Sequence, residues 1–127
     1  MVVKYETTVL AVGEMAAEFA AEGILVFFGQ DAPEELHEFA IIHEHKELLA
    51  PVVPGDVIEI AGVRFPVTAV GDVANDNIAN LGHLVLKLNG LEQTELPGEV
   101  SVVEGQAPEV GPGTVIRIHG GQDDAAP

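Results

Sequence analysis

Cysteine is absent from this chain, which excludes disulfides, thiolate metal sites and cysteine nucleophiles and fits a reducing compartment. Tryptophan is absent too, and aromatic residues make up only 5% of the sequence, so any core must be aliphatic, built from Val, Ile, Leu and Ala. Positive charge is scarce: Lys4, Lys46, Arg64, Lys87 and Arg117 stand against 21 acidic residues, for a formal charge of −16. Phosphate backbones are held by clustered Lys and Arg, so no nucleic acid is expected as a partner, and anionic membrane surfaces are disfavoured for the same reason. Such acidity keeps a protein soluble, and it would also steer a basic protein partner toward this surface. No apolar run approaches the roughly 20 residues of a membrane helix. The longest, Ile24 to Phe28, has the length of a strand, and Met1 to Tyr5 lacks the basic start and apolar stretch of a secretory signal. A soluble, cytoplasmic protein is expected.

Apolar residues form 47% of the 127 positions, enough for one domain with a real core and too short a chain for two. The pattern is one of short β-strands broken by Gly and Pro. Tyr5 to Val12, Ile24 to Phe28, His83 to Leu88, Glu99 to Val103 and Thr114 to His119 all read as strands. Val57 to Ile60 and Val63 to Val70 flank Ala61-Gly62, a hairpin turn, and Pro66 predicts an edge or a bulge in the second of these strands. Three short helices are predicted. Glu14 to Glu22 carries Met15 and Phe19 at i,i+4 and stops at Gly23. Asp31 to about Glu38 has Asp31 as cap and Pro33 early. Val73 to Leu81 is capped by Asp72, stopped by Gly82 and striped by Ala74, Ile78 and Leu81. Pro54-Gly55, Pro97-Gly98 and Pro112-Gly113 each launch a strand, a recurrence that turn chemistry explains without a duplication. These strands are too many for one open sheet. The expected fold is mainly β, a small closed or partly open β-barrel or alternatively a β-sandwich, with two or three short helices. One domain is expected over 1–119 and a flexible tail over 120–127.

With no thiols, the five histidines are the informative polar residues. His43 and His45 follow Phe39-Ala40-Ile41-Ile42. On a strand, residues at i and i+2 share a face, so the two imidazoles would lie side by side and Glu44 would face away. Unpartnered imidazoles are costly to bury, so the pair is expected partly exposed at a rim. Three readings of the pair compete. Both rings could simply bond to backbone. They could be half of a metal site, which a third histidine or a carboxylate would complete; the cupin pattern fails, because Glu47 follows His45 by only two residues. Or one imidazole could attack a phosphoryl group, its other nitrogen held by a carbonyl, while the neighbouring ring stabilises the transferring charge. His83, at a helix-to-strand junction, could reach the same site or interact with the helix end. His37 reads as a solvated helix residue and His119 as neutral to function. Asn75, Asp76, Asn77 and Asn80 read as capping and surface groups, with Asn77 in reach of a neighbouring loop.

The stretch from Phe65-Pro66-Val67-Thr68-Ala69-Val70-Gly71-Asp72 through Leu81-Gly82-His83 to Gly90-Leu91 closely resembles the glucitol/sorbitol-specific IIA component of the sugar phosphotransferase system. So do Phe39 to His45, Glu95 to Val100, Thr7-Thr8 and Pro112-Gly113, and the resemblance spans about residues 4 to 118. It implies a small β-barrel-like domain that works as a phosphotransferase component. By this resemblance the first histidine of the Ile-His-x-His motif, His43, carries the phosphoryl group; from the residues themselves, His45 or His83 would be the group that supports it. Glu44 and Lys46 stand where the family pattern has small residues. The implied donor is the phosphocarrier HPr. The implied acceptor is a cysteine on the IIB portion of a IIB/IIC sugar-alcohol transporter, through which alone the chain would meet a membrane. No cofactor and no resident metal are implied.

Overall fold

The computed structural model describes residues 2–121. Eight strands close into one barrel: β1 (Val3–Val12), β2 (Ile24–Gly29), β3 (Ile41–His43), β4 (Val57–Ile60), β5 (Val63–Val70), β6 (Leu84–Lys87), β7 (Glu99–Val102) and β8 (Val115–His119). Around the barrel they run β1-β3-β2-β6-β7-β5-β4-β8, and β8 returns to β1. Closure removes every sheet edge, which settles barrel against sandwich. Two neighbouring pairs, β2 with β3 and β6 with β7, are parallel and the rest antiparallel. Helix α1 (Glu14–Ala21) and a 3₁₀ helix (Glu34–Phe39) lie against each other outside the barrel, with Phe19 stacked on Phe39 at 6.4 Å. Helix α2 (Ala74–Leu81) crosses one barrel end.

The period-2 patterning accounts for the interior. Tyr5, Thr7 and Val9 of β1, Leu25 and Phe27 of β2, Ile58 and Ile60 of β4, Leu84 and Leu86 of β6, and Ile116 and Ile118 of β8 are buried at alternate positions. Ala61 and Gly62 both take positive φ, 52° and 83°, the two-residue turn whose twist matches the flanking strands. Pro66 lies opposite Val57 rather than on an edge. The ladder toward β7 shifts register just beyond it, between Val67 and Ala69, so the missing N–H falls beside a bulge.

The sequence reading of the helix starts fails at both acidic caps. The 3₁₀ helix is entered from Pro33 and α2 from Val73, neither with a side-chain cap. At α2 the backbone does that work: Val73 N–H donates to Pro97 O and Ala74 N–H to Gly71 O, so Asp72 is left exposed. The expected apolar stripe of α2 also breaks. Ala74 and Ile78 are buried, but Leu81 is 53% exposed, and it is Gly82, in the left-handed turn after it, that lies at the barrel end with Ile78. At the C-terminus, Gly120 is buried and its N–H donates to Val2 O. The remainder of the expected tail, 122–127, lies outside the described residues.

Candidate functional site

His43 is the last residue of β3, paired with Val9 of β1 and Gly29 of β2. It shares the inward face with Ile41, so its ring enters the barrel end beneath α2. Tyr5 meets it edge-on at 5.9 Å between centroids, and Phe27 does so at 6.2 Å. The expectation of two half-exposed rings at a rim is therefore wrong for this residue, which is 3% exposed. Its burial is tolerated because both nitrogens meet carbonyls: Nδ1 lies 3.0 Å from Glu44 O and Nε2 lies 2.9 Å from Gly82 O.

His45 lies beyond the end of β3, in the irregular segment that leads to β4. It is half-buried, its N–H donates to Gln30 Oε1 at 2.6 Å, and its Nε2 lies 2.9 Å from Ala79 O. The two motif histidines thus still turn toward one feature, the C-terminal turn of α2, although at different depths. His83 follows that turn. It stacks on Phe28 at 4.0 Å with an interplanar angle of 14°, and its Nδ1 lies 3.2 Å from Phe27 O. Two glycines make this crowding possible. A Cβ on Gly29 would stand 2.9 Å from both His45 Cβ and Leu81 O, and one on Gly82 would stand 3.1 Å from His43 Cε1.

The ring of His43 is electrostatically contested. A neutral imidazole has one N–H, so it satisfies one of the two carbonyls and turns a lone pair on the other. An imidazolium would satisfy both, but burial penalises its charge. Burial pushes the His43 pKa below the ordinary histidine value, the carbonyls of Glu44 and Gly82 pull it back, and neighbouring His45 pushes it down further. The outcome is a lowered pKa and a neutral ring near pH 7. Because the folded pKa is depressed, the unfolded chain binds the extra proton. This contribution to stability is therefore present above about pH 6.5, the ordinary histidine value, and is lost as pH falls below it. The expected result is that urea-unfolding free energy declines on acidification from pH 7 to 5.5, and that His43→Gln flattens this slope. An unchanged slope in the variant would remove His43 as its source.

Each of the five basic side chains lies within 4.0 Å of a carboxylate: Lys4 with Asp56, Lys46 with Glu44, Arg64 and Arg117 with Glu59, and Lys87 with Glu99. Among the described residues, no group of three or more His, Cys, Asp or Glu is placed to hold a metal ion, so the His43–His45 pair finds no third ligand.

Against this geometry the comparisons decide the family. The family model described as the PTS system glucitol/sorbitol-specific IIA component matches residues 4–117. The chain belongs to that family. It is 38% identical over 118 residues to the PTS system glucitol/sorbitol-specific EIIA components of Shigella flexneri and of Escherichia coli K12, alignments that cover 93% of this chain and 96% of each relative. The crystal structure of a PTS system IIA component from Enterococcus faecalis V583 is similar at a TM-score of 0.79 and 26% identity, covering 88% of this chain and 97% of the other.

In this IIA-family barrel the three histidines singled out in the sequence all meet backbone carbonyls around α2 and β2, His43 and His45 at the helix's last turn and His83 at Phe27. His37 stands apart, bonded to Ala32 O at 3.0 Å, and His119 is buried beside Glu59, between β8 and β4. Sequence reasoning missed the residues that anchor the segment after β3. Thr7 Oγ1 donates to Glu44 O, the carbonyl that also faces His43 Nδ1, and Tyr5 OH accepts from Lys46 N–H at 3.1 Å. Asn75, read as a surface group, instead clamps Val52: its Oδ1 accepts from Val52 N–H at 2.8 Å and its Nδ2 donates to Val52 O at 3.0 Å. The only signal for these was that Tyr5 and Thr7 alternate on the inward face of a strand.

Proposed function

We propose that this chain is a phosphocarrier: it takes a phosphoryl group from phosphorylated HPr onto His43 and passes it to a cysteine on the IIB portion of a sugar-alcohol transporter. The setting would be cytoplasmic. No helix among the described residues is long and apolar enough to cross a membrane, and phosphorylated HPr must reach the ring. The observation that carries the reading is the turning of the Ile-His-x-His motif onto the last turn of α2, with one nitrogen of His43 against an anchored carbonyl and the other against a carbonyl at a glycine hinge.

That asymmetry supports an assignment of the nitrogens. Glu44 O is anchored by Thr7 Oγ1 and keeps the proton on Nδ1. Gly82 sits in the left-handed region, with φ 63°, where the chain leaves α2, and a neutral ring in this tautomer turns a lone pair on its carbonyl. The Gly82 contact is therefore the one that opens, and Nε2 is the nucleophile. In transfer the P–N bond to the donor's histidine breaks as the bond from His43 Nε2 forms, and the donor imidazole leaves with the electron pair. Transfer of this kind depends on positioning and on charge stabilisation rather than on covalent assistance. His45 and His83, both half-buried, would hydrogen-bond the phosphoryl oxygens.

Incubation with phosphoenolpyruvate and the general phosphotransfer proteins, HPr included, followed by intact mass measurement, tests the reading. The expected product carries one acid-labile phosphoryl per chain, and adding the transporter's IIB domain discharges it. A chain that takes no label under these conditions is not a carrier.

A further inference from the structure

Helix α2 is fastened unevenly along its length. Its first half is held by bonds that do not involve the histidines: Val73 N–H donates to Pro97 O, Ala74 N–H to Gly71 O, and Asn75 clamps Val52 through both side-chain polar atoms. Beyond Ile78 the fastening changes. Ala79, Asn80 and Leu81 are exposed, and what this turn's carbonyls meet is two imidazoles, Ala79 O with His45 Nε2 and Gly82 O with His43 Nε2, each at 2.9 Å. Gly82 N–H donates to Ile78 O, the bond that ends a helix at a left-handed glycine, and His83 N–H donates to Asn77 O. A second observation concerns room. A phosphoryl group adds a phosphorus and three oxygens to the ring, each oxygen about the size of a water. The cavity beside His43, walled by Phe27, Ile78, Leu84, Ile116 and Ile118, has a volume of about 10 Å³, no more than the roughly 10–15 Å³ that one water needs. The added group therefore has no place inside the barrel. From Nε2 it must take the space where Gly82 O stands, whereas Nδ1 faces a carbonyl that Thr7 anchors.

We propose that residues 79–82 are a hinged flap, closed over His43 in the unloaded chain and held open by the phosphoryl group in the loaded one. The proposal rests on the carrier reading and adds that loading changes the shape of the chain as well as its charge. The hinge is at Ile78, the last buried residue of the helix, and the clamped half before it stays in place. Little holds the flap shut. With its proton on Nδ1 the ring offers Gly82 O a lone pair and no bond, and the three residues before Gly82 are exposed. Close packing at Gly82 is what allows closure at all: at φ 63° an added Cβ would stand 3.0 Å from Gly29 N and 3.1 Å from His43 Cε1. Once the phosphoryl group is on Nε2, closure would press its oxygens against the carbonyls of Ala79 and Gly82, at the electronegative end of a helix, and the two repel. The position of one helical turn thus records whether the chain is loaded.

Amide hydrogen exchange tests this, followed residue by residue in NMR spectra of the unloaded chain and of the chain kept loaded by phosphoenolpyruvate and the general phosphotransfer proteins. Intact mass establishes the load. The expected result is that the Gly82 and His83 amides exchange at least about tenfold faster in the loaded chain, while those of Val73 and Ala74, at the clamped end, change by less than about twofold. Gly82→Ala is expected to give a similar rise at positions 82 and 83 with no phosphate present, because the added Cβ wedges the flap open. A fully loaded wild type in which Gly82 and His83 keep their protection overturns the flap and leaves the carrier reading standing, and this comparison needs no variant to fold. Faster exchange at Glu44, His45 and Lys46 instead would place the group on Nδ1 and overturn the flap too. So would a folded Gly82→Ala chain whose exchange matches wild type, since the contact at Gly82 would then not hold the turn. A wild type that takes no label sinks the carrier reading, and the flap with it.

Discussion

On the carrier reading, His43→Gln is expected to abolish phosphoryl acceptance, lowering its rate by more than about 10³-fold, because the proposed bond-forming nitrogen is gone. Gln is the informative replacement. It is polar and of similar reach, so it can still donate an N–H to one of the two carbonyls, Glu44 O or Gly82 O, that the ring meets. Ala would leave both carbonyls unpaired beside a cavity, and lost activity could then be lost folding. Removal of His45 or His83 is expected to slow acceptance by about 10- to 100-fold and to leave the end point intact, since in this proposal these rings assist and do not carry the bond. Intact mass gives the end point and quenched-flow labelling gives the rate. The opposite pattern, label retained in His43→Gln and lost in His45→Gln, would move the carrier role to the less buried ring.

The barrel was legible in the sequence because its causes are local. Alternation in Val57-Ile58-Glu59-Ile60 and Leu84-Val85-Leu86-Lys87 needs only the two faces of a strand, and Ala61-Gly62 needs only a two-residue turn. The closed strand order was not legible beyond the count of strands, because the parallel pairing of β2 with β3 and of β6 with β7 is set by long-range contacts. The motif histidines were legible as residues, but their depth was not. A strand pattern says that His43 shares a face with Ile41, whereas only the crossing of α2 over the barrel mouth decides that this face is roofed. The cap at Asp72 failed for a related reason, since Pro97 O, distant in sequence, took the Val73 N–H, whereas the 3₁₀ helix starts two residues after Asp31, at Pro33, whose carbonyl accepts from Leu36 N–H. Asn75 was misread because its partner, Val52, lies 23 residues away and nothing near it in the chain points there.

The roof over His43 also explains why the segment after β3, irregular from residue 44 to 56, is so thoroughly tied. Thr7 and Tyr5 each hold one of its backbone groups and Asn75 holds two, and its far end is fixed by a buried ion pair. Asp56 is 2% exposed. Its Oδ2 accepts from Lys4 Nζ at 2.7 Å and from Val53 N–H at 2.9 Å, and Lys4 Nζ also donates to Pro51 O at 2.9 Å. Asp56→Ala would remove the carboxylate and leave the Lys4 ammonium, itself only 12% exposed, without its counter-charge. Breaking a buried pair from one side costs about 3–5 kcal/mol, because the remaining ion stays desolvated. For a domain of this size that corresponds to a fall of about 10–20 °C in melting temperature. Replacing both partners, as Lys4→Met with Asp56→Leu, removes the stranded charge and should recover more than half of the loss. Urea unfolding of the two single variants and the double one measures both quantities. A loss below about 1 kcal/mol in Asp56→Ala would show that the pair is screened by water and does not fix the segment. If the full loss is seen, the same variant should, on the carrier reading, accept phosphoryl groups more slowly even at temperatures where it is folded, because loosening residues 44 to 56 frees the Glu44 carbonyl, 3.0 Å from His43 Nδ1, that the proposal gives the task of holding the proton there.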